Sequence, residues 1–223
     1  MTTVTFNNDS LSPFVVPAGV TSLDIEVWGG GGGGGQGNGS SAGAGGGGGG
    51  AYCKKTLAVT AGQSITYEIG QGGTGGIYDN GDNAQPGGDS WAQRVSPSTA
   101  QFTADGGERG TPSSRGDGGE ASNGETNTPG SNGVYTGGVN GGAGGAGGGA
   151  GGGAGGAGAV NASPVSGLGG TGTAPGGGGG GGSAFGEPDD GGRGGAGAAG
   201  RVVFTYTAGA SGGRRRRVLM MGD

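Results

Sequence analysis

The stretch VTSLDIEVWGGGGGGG, residues 20–35, changes its rule half-way. Leu23, Ile25 and Val27 alternate with Ser22, Asp24 and Glu26, the period of a strand with one buried face. After Trp28 the side chains stop, and seven glycines follow without a break. A strand that runs directly into polyglycine implies a small β-framework from which glycine segments grow.

The same pairing of motifs recurs outward from there. Phe14 and Val16 make a short strand before the turn Pro17-Ala18-Gly19, and Thr3 to Phe6 supplies an edge strand. Leu57 and Val59, the turn residues Ala61-Gly62-Gln63, and then Ile65, Tyr67 and Ile69 read as a β-hairpin. Near the end, RVVFTYT places Val202, Phe204 and Tyr206 on one face, closing the sandwich with strands far earlier in the chain. The fold expected is all-β: a small antiparallel β-sandwich with long glycine-rich loops.

Glycine accounts for 72 of 223 residues, whereas Leu, Ile, Val and Phe together fall well below one-fifth, a composition typical of disordered chains. Collagen is excluded, because there are only 9 prolines and the glycines come in unbroken runs. The apolar residues are concentrated in the strand segments, which is why a framework is expected. One domain, 1–208, follows, with strand-forming segments 3–28, 51–70 and 201–207, glycine-rich segments 29–50 and 137–200, polar loops over 71–136, and an Arg-rich tail, 209–223.

Residues 137–158 are the extreme case, nearly all glycine with alanines at 143, 146, 150, 154 and 157. Spacings of three and four suggest a helical stripe, but fifteen glycines oppose a helix by about 12 to 15 kcal/mol. A flexible linker, an irregular loop and an extended polyglycine II helix remain. The last has three residues per turn and no internal hydrogen bonds, so neighbouring helices can bond to one another if nothing but glycine separates them. The many separate runs supply the segments such an array needs, and packed polyglycine II helices are the arrangement expected.

Catalytic and cofactor chemistry finds little footing. The chain has no histidine, so neither a Ser/His/Asp nor a Cys/His centre can be assembled, and its only cysteine, Cys53, excludes an intrachain disulfide. Two neighbouring lysines could activate Cys53, although an inert core thiol is the plainer reading. Matches to GxGxxG arise by chance in so much glycine, and Lys54 and Lys55 lack the glycine that precedes a P-loop lysine. Asp79, Asn80, Asp82 and Asn83 cluster without calcium-loop spacing, Asp189 and Asp190 read as a solvated turn, and Arg115-Gly116-Asp117 arises easily in this composition. No enzyme activity, cofactor or metal is expected.

The net charge of -5 disfavours nucleic acid, and no stretch is long and apolar enough for a membrane helix. The N-terminus lacks the basic and apolar regions of a signal peptide, so Sec export is not expected. Arg214, Arg215, Arg216 and Arg217 form a separate basic object, read as a partner-docking peptide. Their guanidinium groups would pair with carboxylates while Leu219 and Met220 enter an apolar groove. Tyr78, Trp91 and Tyr135 are candidates for receptor contact by glycan stacking.

The order FVVPAGVTSLDIEVWGGGGGGG (14–35), AYCKKTLAVTAGQSITYEIGQGG (51–73) and GGGGGGGSAFGEPDDGGRGGAGAAGRVVFTY (176–206) resembles the glycine-rich domain of bacteriophage tail and tail-fibre proteins. The resemblance covers most of 12–206. Within it, PGGDSWAQ (86–93) followed by TADGGERG (103–110) looks like that family's intermediate strand pair. The composition is similar to the polyglycine tips of T-even-type fibre adhesins, and GGRRRRVLMMGD (212–223) resembles the C-termini of minor tail proteins of actinobacterial phages. The resemblance implies a structural virion protein, a minor tail or tail-tip component, whose partners are other tail proteins and a host-envelope glycan or protein. It also implies a homo-oligomer, since fibres are often trimers. A receptor-binding fibre-tip adhesin, a capsid decoration protein and a non-phage glycine-rich surface protein are the alternatives.

Overall fold

Leu23, Ile25 and Val27 are buried in β3 (Ser22–Trp28) as their alternation requires, and β3 lies at the centre of a sheet. The computed structural model describes residues 1–7, 13–38, 42–77, 83–160, 167–184 and 191–208. Those residues contain ten strands and no helix: β1 (Thr2–Phe6), β2 (Phe14–Val15), β3, β4 (Tyr52–Ala58), β5 (Ser64–Glu68), β6 (Ser90–Arg94), β7 (Phe102–Ala104), β8 (Ala121–Ser122), β9 (Thr126–Thr128) and β10 (Arg201–Tyr206). One antiparallel sheet has the order β1-β10-β3-β4-β9 and the other β2-β5-β6-β7-β8. Leu23, Ile25, Ile65, Phe102 and Phe204 fill the space between them, each contributing about 1.5 to 3 kcal/mol by leaving water. Phe14 stacks on Phe204 with ring centroids 4.5 Å apart.

Two expectations need correcting. β4 and β5 are not a hairpin: β4 pairs with β3 and β9, β5 with β2 and β6, and the turn at 60–63 crosses from one sheet to the other. A short turn fixes proximity of two strands but not membership of one sheet; β4 and β5 turn their buried faces into the same core from opposite sheets, with β4 packed over β7 and β8. Segment 71–136 is likewise more than polar loops, since it holds β6 to β9. Of these, β6 and β7 form the antiparallel pair that the family resemblance implied.

Beyond Trp28 the chain enters a second kind of order. Gly29, Gly32 and Gly35 donate to Ala51, Gly48 and Gly45; Gly30 and Gly33 donate to Gly88 and Gln85; Gly31 and Gly34 donate to Ala198 and Gly195, all at 2.8 to 3.0 Å. Every third residue thus addresses the same neighbour, and successive residues address three different ones. That is the hydrogen bonding of a threefold extended segment without internal bonds, the polyglycine II arrangement. The same segment accepts from three more neighbours, through Gly107 and Gly110, Gly73 and Gly76, and Gly179 and Gly182. Rod 29–37 is therefore enclosed by six others.

Rods 43–51 and 176–184 are enclosed in the same way, and all three are built around unbroken glycine runs. The rest form the perimeter: 70–76, 84–88, 105–111, 114–120, 129–135, 141–148, 152–159, 167–174 and 191–200. The alanine spacing in 137–158 now has its explanation. Rods 141–148 and 152–159 each have a period of three, and the extra residues belong to the turn between them. Ala143, Ala146, Ala154 and Ala157 take the outward position and are exposed.

The strands position the array. β3 and β4 continue as rods 29–37 and 43–51, and β7 and β8 as 105–111 and 114–120, keeping their antiparallel pairing. Stacked sheets stand about 10 Å apart because side chains separate them. Once the side chains end, the layers close to direct backbone bonding, as in Gly30 to Gly88 and Gly107 to Gly30, which join continuations of opposite sheets.

Candidate functional site

Rod directions place the connections. Rods 29–37, 70–76, 105–111, 129–135, 152–159 and 176–184 run away from the sandwich, and the other six return. The described rod ends that flank six connections therefore gather at the distal end: residues 38 and 42, 77 and 83, 111 and 114, 136 and 140, 160 and 167, and 184 and 191. Only the turns at 149–151 and 174–176 lie back beside the sandwich. There Gly149 has φ of 69°, and a Cβ on it would strike the Tyr52 ring, so a tight glycine turn is locked over the Trp28–Tyr52–Val203 cluster.

The distal end is tied down locally. Asn38 donates its N–H to the Ala42 carbonyl at 2.9 Å. The Thr111 hydroxyl lies 2.8 Å from that of Ser114 and accepts the Ser114 N–H at 3.0 Å, and the Thr136 hydroxyl donates to the Asn140 carbonyl at 2.8 Å. Val134, Tyr135 and Val139 are exposed there. A loop cluster on a rigid support of this kind suits recognition of a surface rather than enclosure of a small molecule.

Of the residues singled out for receptor contact, Tyr135 stands at this end. Trp91 does not: it lies in β6, half-buried, its indole N–H donating to Glu68 at 2.8 Å. Tyr78 and the docking residues Arg214, Arg215, Arg216, Arg217, Leu219 and Met220 lie outside the described residues. So do Asp79, Asn80, Asp82, Asp189 and Asp190. The Arg115 and Asp117 side chains pair with each other at 3.5 Å, and Gly116 between them is buried in the array. No group of three or more His, Cys, Asp or Glu side chains able to hold a metal occurs among the described residues.

Cys53 is fully buried in the core, on β4 between β3 and β9. Burial pushes its thiol up to about 12, against a smaller lowering by Lys55. The thiolate is the reactive form. Labelling by a thiol reagent at about pH 8 is expected to be about 10³-fold slower in the native protein than in denaturant, and native-state labelling at the denatured rate would refute this burial.

A further group of carboxylates lines the shallow face formed by Asp89, Asp105, Glu108 and Glu120. Burial raises the Asp105 carboxyl above its ordinary range, and Asp89 and Glu120 push the same way. A carboxyl raised in the folded state supports folding while protonated. That support is present below its unfolded value, about 3.9, and lost as pH rises through the folded one. Asp105→Asn is therefore expected to melt above wild type at about pH 7, with the gap narrowing towards about pH 3; calorimetry at the two pH values checks it.

The family model described as a glycine-rich domain matches residues 7–213. The chain belongs to the glycine-rich domain family. In this glycine-rich domain the match takes in the whole array and every strand of the two sheets except β1, so sandwich and rods are one family unit rather than a framework with an appended tail. No curated protein matches the chain.

Sequence reasoning missed the convergence of six connections at one end. The signal was present: each unbroken glycine run marks an interior rod, and each run interrupted every third residue marks a perimeter rod. Alternate connections between rods must then share an end.

Proposed function

We infer that this glycine-rich domain is a non-enzymatic structural component of a bacteriophage tail, a minor tail or tail-tip protein. The observation that carries the structural part is the array itself. Rod 29–37 bonds to six neighbours without a side-chain core, which makes a stiff, protease-resistant body from backbone alone. The phage setting is supported by the order of strand and glycine motifs set out above, and the partners it implies are other tail proteins and the host envelope. Immunogold labelling or a cryo-EM map of purified virions tests it, and absence of the protein from particles overturns it.

A receptor-binding adhesin is the second reading, favoured by the six connections at the distal end with Tyr135 exposed among them. The sandwich would anchor and the array would hold the loops clear of the virion. Purified protein should then block phage adsorption, with Tyr135→Ala weakening the effect. Full adsorption in the presence of saturating protein would leave only the scaffold reading.

A further inference from the structure

Four strands end the two sheets, β1 and β9 the one, β2 and β8 the other. Three of these edges are short. β2 and β8 have two residues each and β9 has three, and β2 stands between Pro13 and Pro17. The β8 and β9 edges are also tied together, because Lys55 donates to the Asn123 carbonyl at 2.8 Å in the turn that joins them. Edges shortened or tied in this way offer little to an incoming strand.

β1 is made differently. It pairs with β10 over all five of its residues without a bulge, and it holds no charged side chain, proline or glycine. Its backbone groups on the side away from β10 bond to no backbone group among the described residues. The family match begins at residue 7, so in the matched unit β10 is the edge and β1 is a strand added to it. Phe6 faces the core and packs on Tyr67 with ring centroids 4.8 Å apart, whereas Thr3 and Thr5 are exposed on the outer face.

A row of free N–H and C=O groups recognises an extended strand, and the side chains of β1 suit a second copy of itself. In an antiparallel pair centred on Val4, Thr3 of each copy stands opposite Thr5 of the other, and Val4 opposite Val4. Thr–Thr pairs are favourable across strands, and no like charges are opposed. The two-fold axis reverses one copy, so the two arrays point to opposite sides and clear each other. It also turns the open flanks together, bringing half-buried Phe6 and Phe14 of each copy towards those of the other. One five-residue ladder with this flank falls short of a stable interface, about 1,200 Å², so the pair forms and dissociates with concentration.

We propose that the free edge of β1 is a self-association site, where a second copy of the chain adds its own β1 antiparallel and joins the two sheets β1-β10-β3-β4-β9 into one.

The test is sedimentation equilibrium of the full chain as wild type, T3K/T5K, T3E/T5E and an equimolar mixture of the two variants. Wild type should rise towards twice the monomer mass as concentration increases. Each variant alone should remain a monomer, since like charges then face each other at both Thr3–Thr5 pairs, and the mixture should recover the dimer. Hydrogen exchange should show the N–H groups of Thr2–Phe6 gaining protection with concentration in wild type, and that measurement carries the test alone if a variant loses its circular dichroism. A wild type that stays monomeric into the millimolar range overturns the proposal. So does a dimer that persists in T3K/T5K, a mixture of folded variants that fails to pair, or protection of Thr2–Phe6 that does not change with concentration.

Discussion

Gly34→Ala is expected to lower stability by more than about 4 kcal/mol, with a fall in Tm of about 10 °C or more, although it adds one methyl group. Overpacking a side-chain core costs about 1 to 3 kcal/mol because neighbouring side chains can turn aside. Here the methyl meets the Gly180 carbonyl, and neither residue has a side chain to move. Nor can the rod shift, since each direction of retreat is filled by a neighbour that bonds to it every third residue. Against a total stability of about 5 to 15 kcal/mol the change approaches loss of the fold. Gly138→Ala provides the contrast, because a Cβ there meets nothing within 4 Å and its backbone is not in the left-handed region. That substitution should leave Tm unchanged or raise it slightly through the unfolded chain. Thermal melts of the two variants decide the matter: if Gly34→Ala melts with wild type, the interior is not close-packed as described.

The contrast between these glycines shows which parts of the molecule were legible beforehand. Strands β3 and β10 declared themselves because Leu23, Ile25, Val27, Val202 and Phe204 are large and alternate. Strands β6 and β7 did not, since β6 buries Ser90 and Ala92 and β7 only Phe102 and Ala104, too little apolar volume to stand out in a polar segment. The crossing of the 60–63 turn between sheets was hidden for another reason, namely that pairing is decided by partners far away, such as Glu26 opposite Lys54 and Phe14 opposite Ile65. In the array, composition gave the material and periodicity the position. Alanine spacings of three, four, four and three look helical when read as one segment and become two perimeter rods once a turn is placed at 149–151. Of the distal end, Tyr135 was legible as an aromatic in a polar segment; its neighbours across the end were not, because rods adjacent there are far apart in sequence.

Hydrogen exchange should resolve the array into three levels that follow the number of neighbours. Interior rods should be protected at every residue: all N–H groups of 29–35 and of 43–51 donate to backbone carbonyls. On rod 141–148 the N–H groups of 141, 142, 144, 145, 147 and 148 are bonded and those of 143 and 146 have no backbone acceptor among the described residues, so two residues in three are slow. On the corner rod, 152–159, only one in three is expected to be slow, since among the described residues Gly153, Gly156 and Ala159 donate to neighbouring rods and Gly152 only to Gly149 in its own turn, while 154, 155, 157 and 158 do not donate. The slow groups open only with the array, so their exchange should be reduced by about 10³-fold or more relative to the free ones. Such a pattern cannot come from flexible glycine loops, which exchange uniformly fast, or from strands, which would alternate by twos. Uniform protection along 152–159 would mean that a further neighbour covers the corner rod. Uniform loss along 29–35 would remove the rigid support on which presentation of the distal end depends.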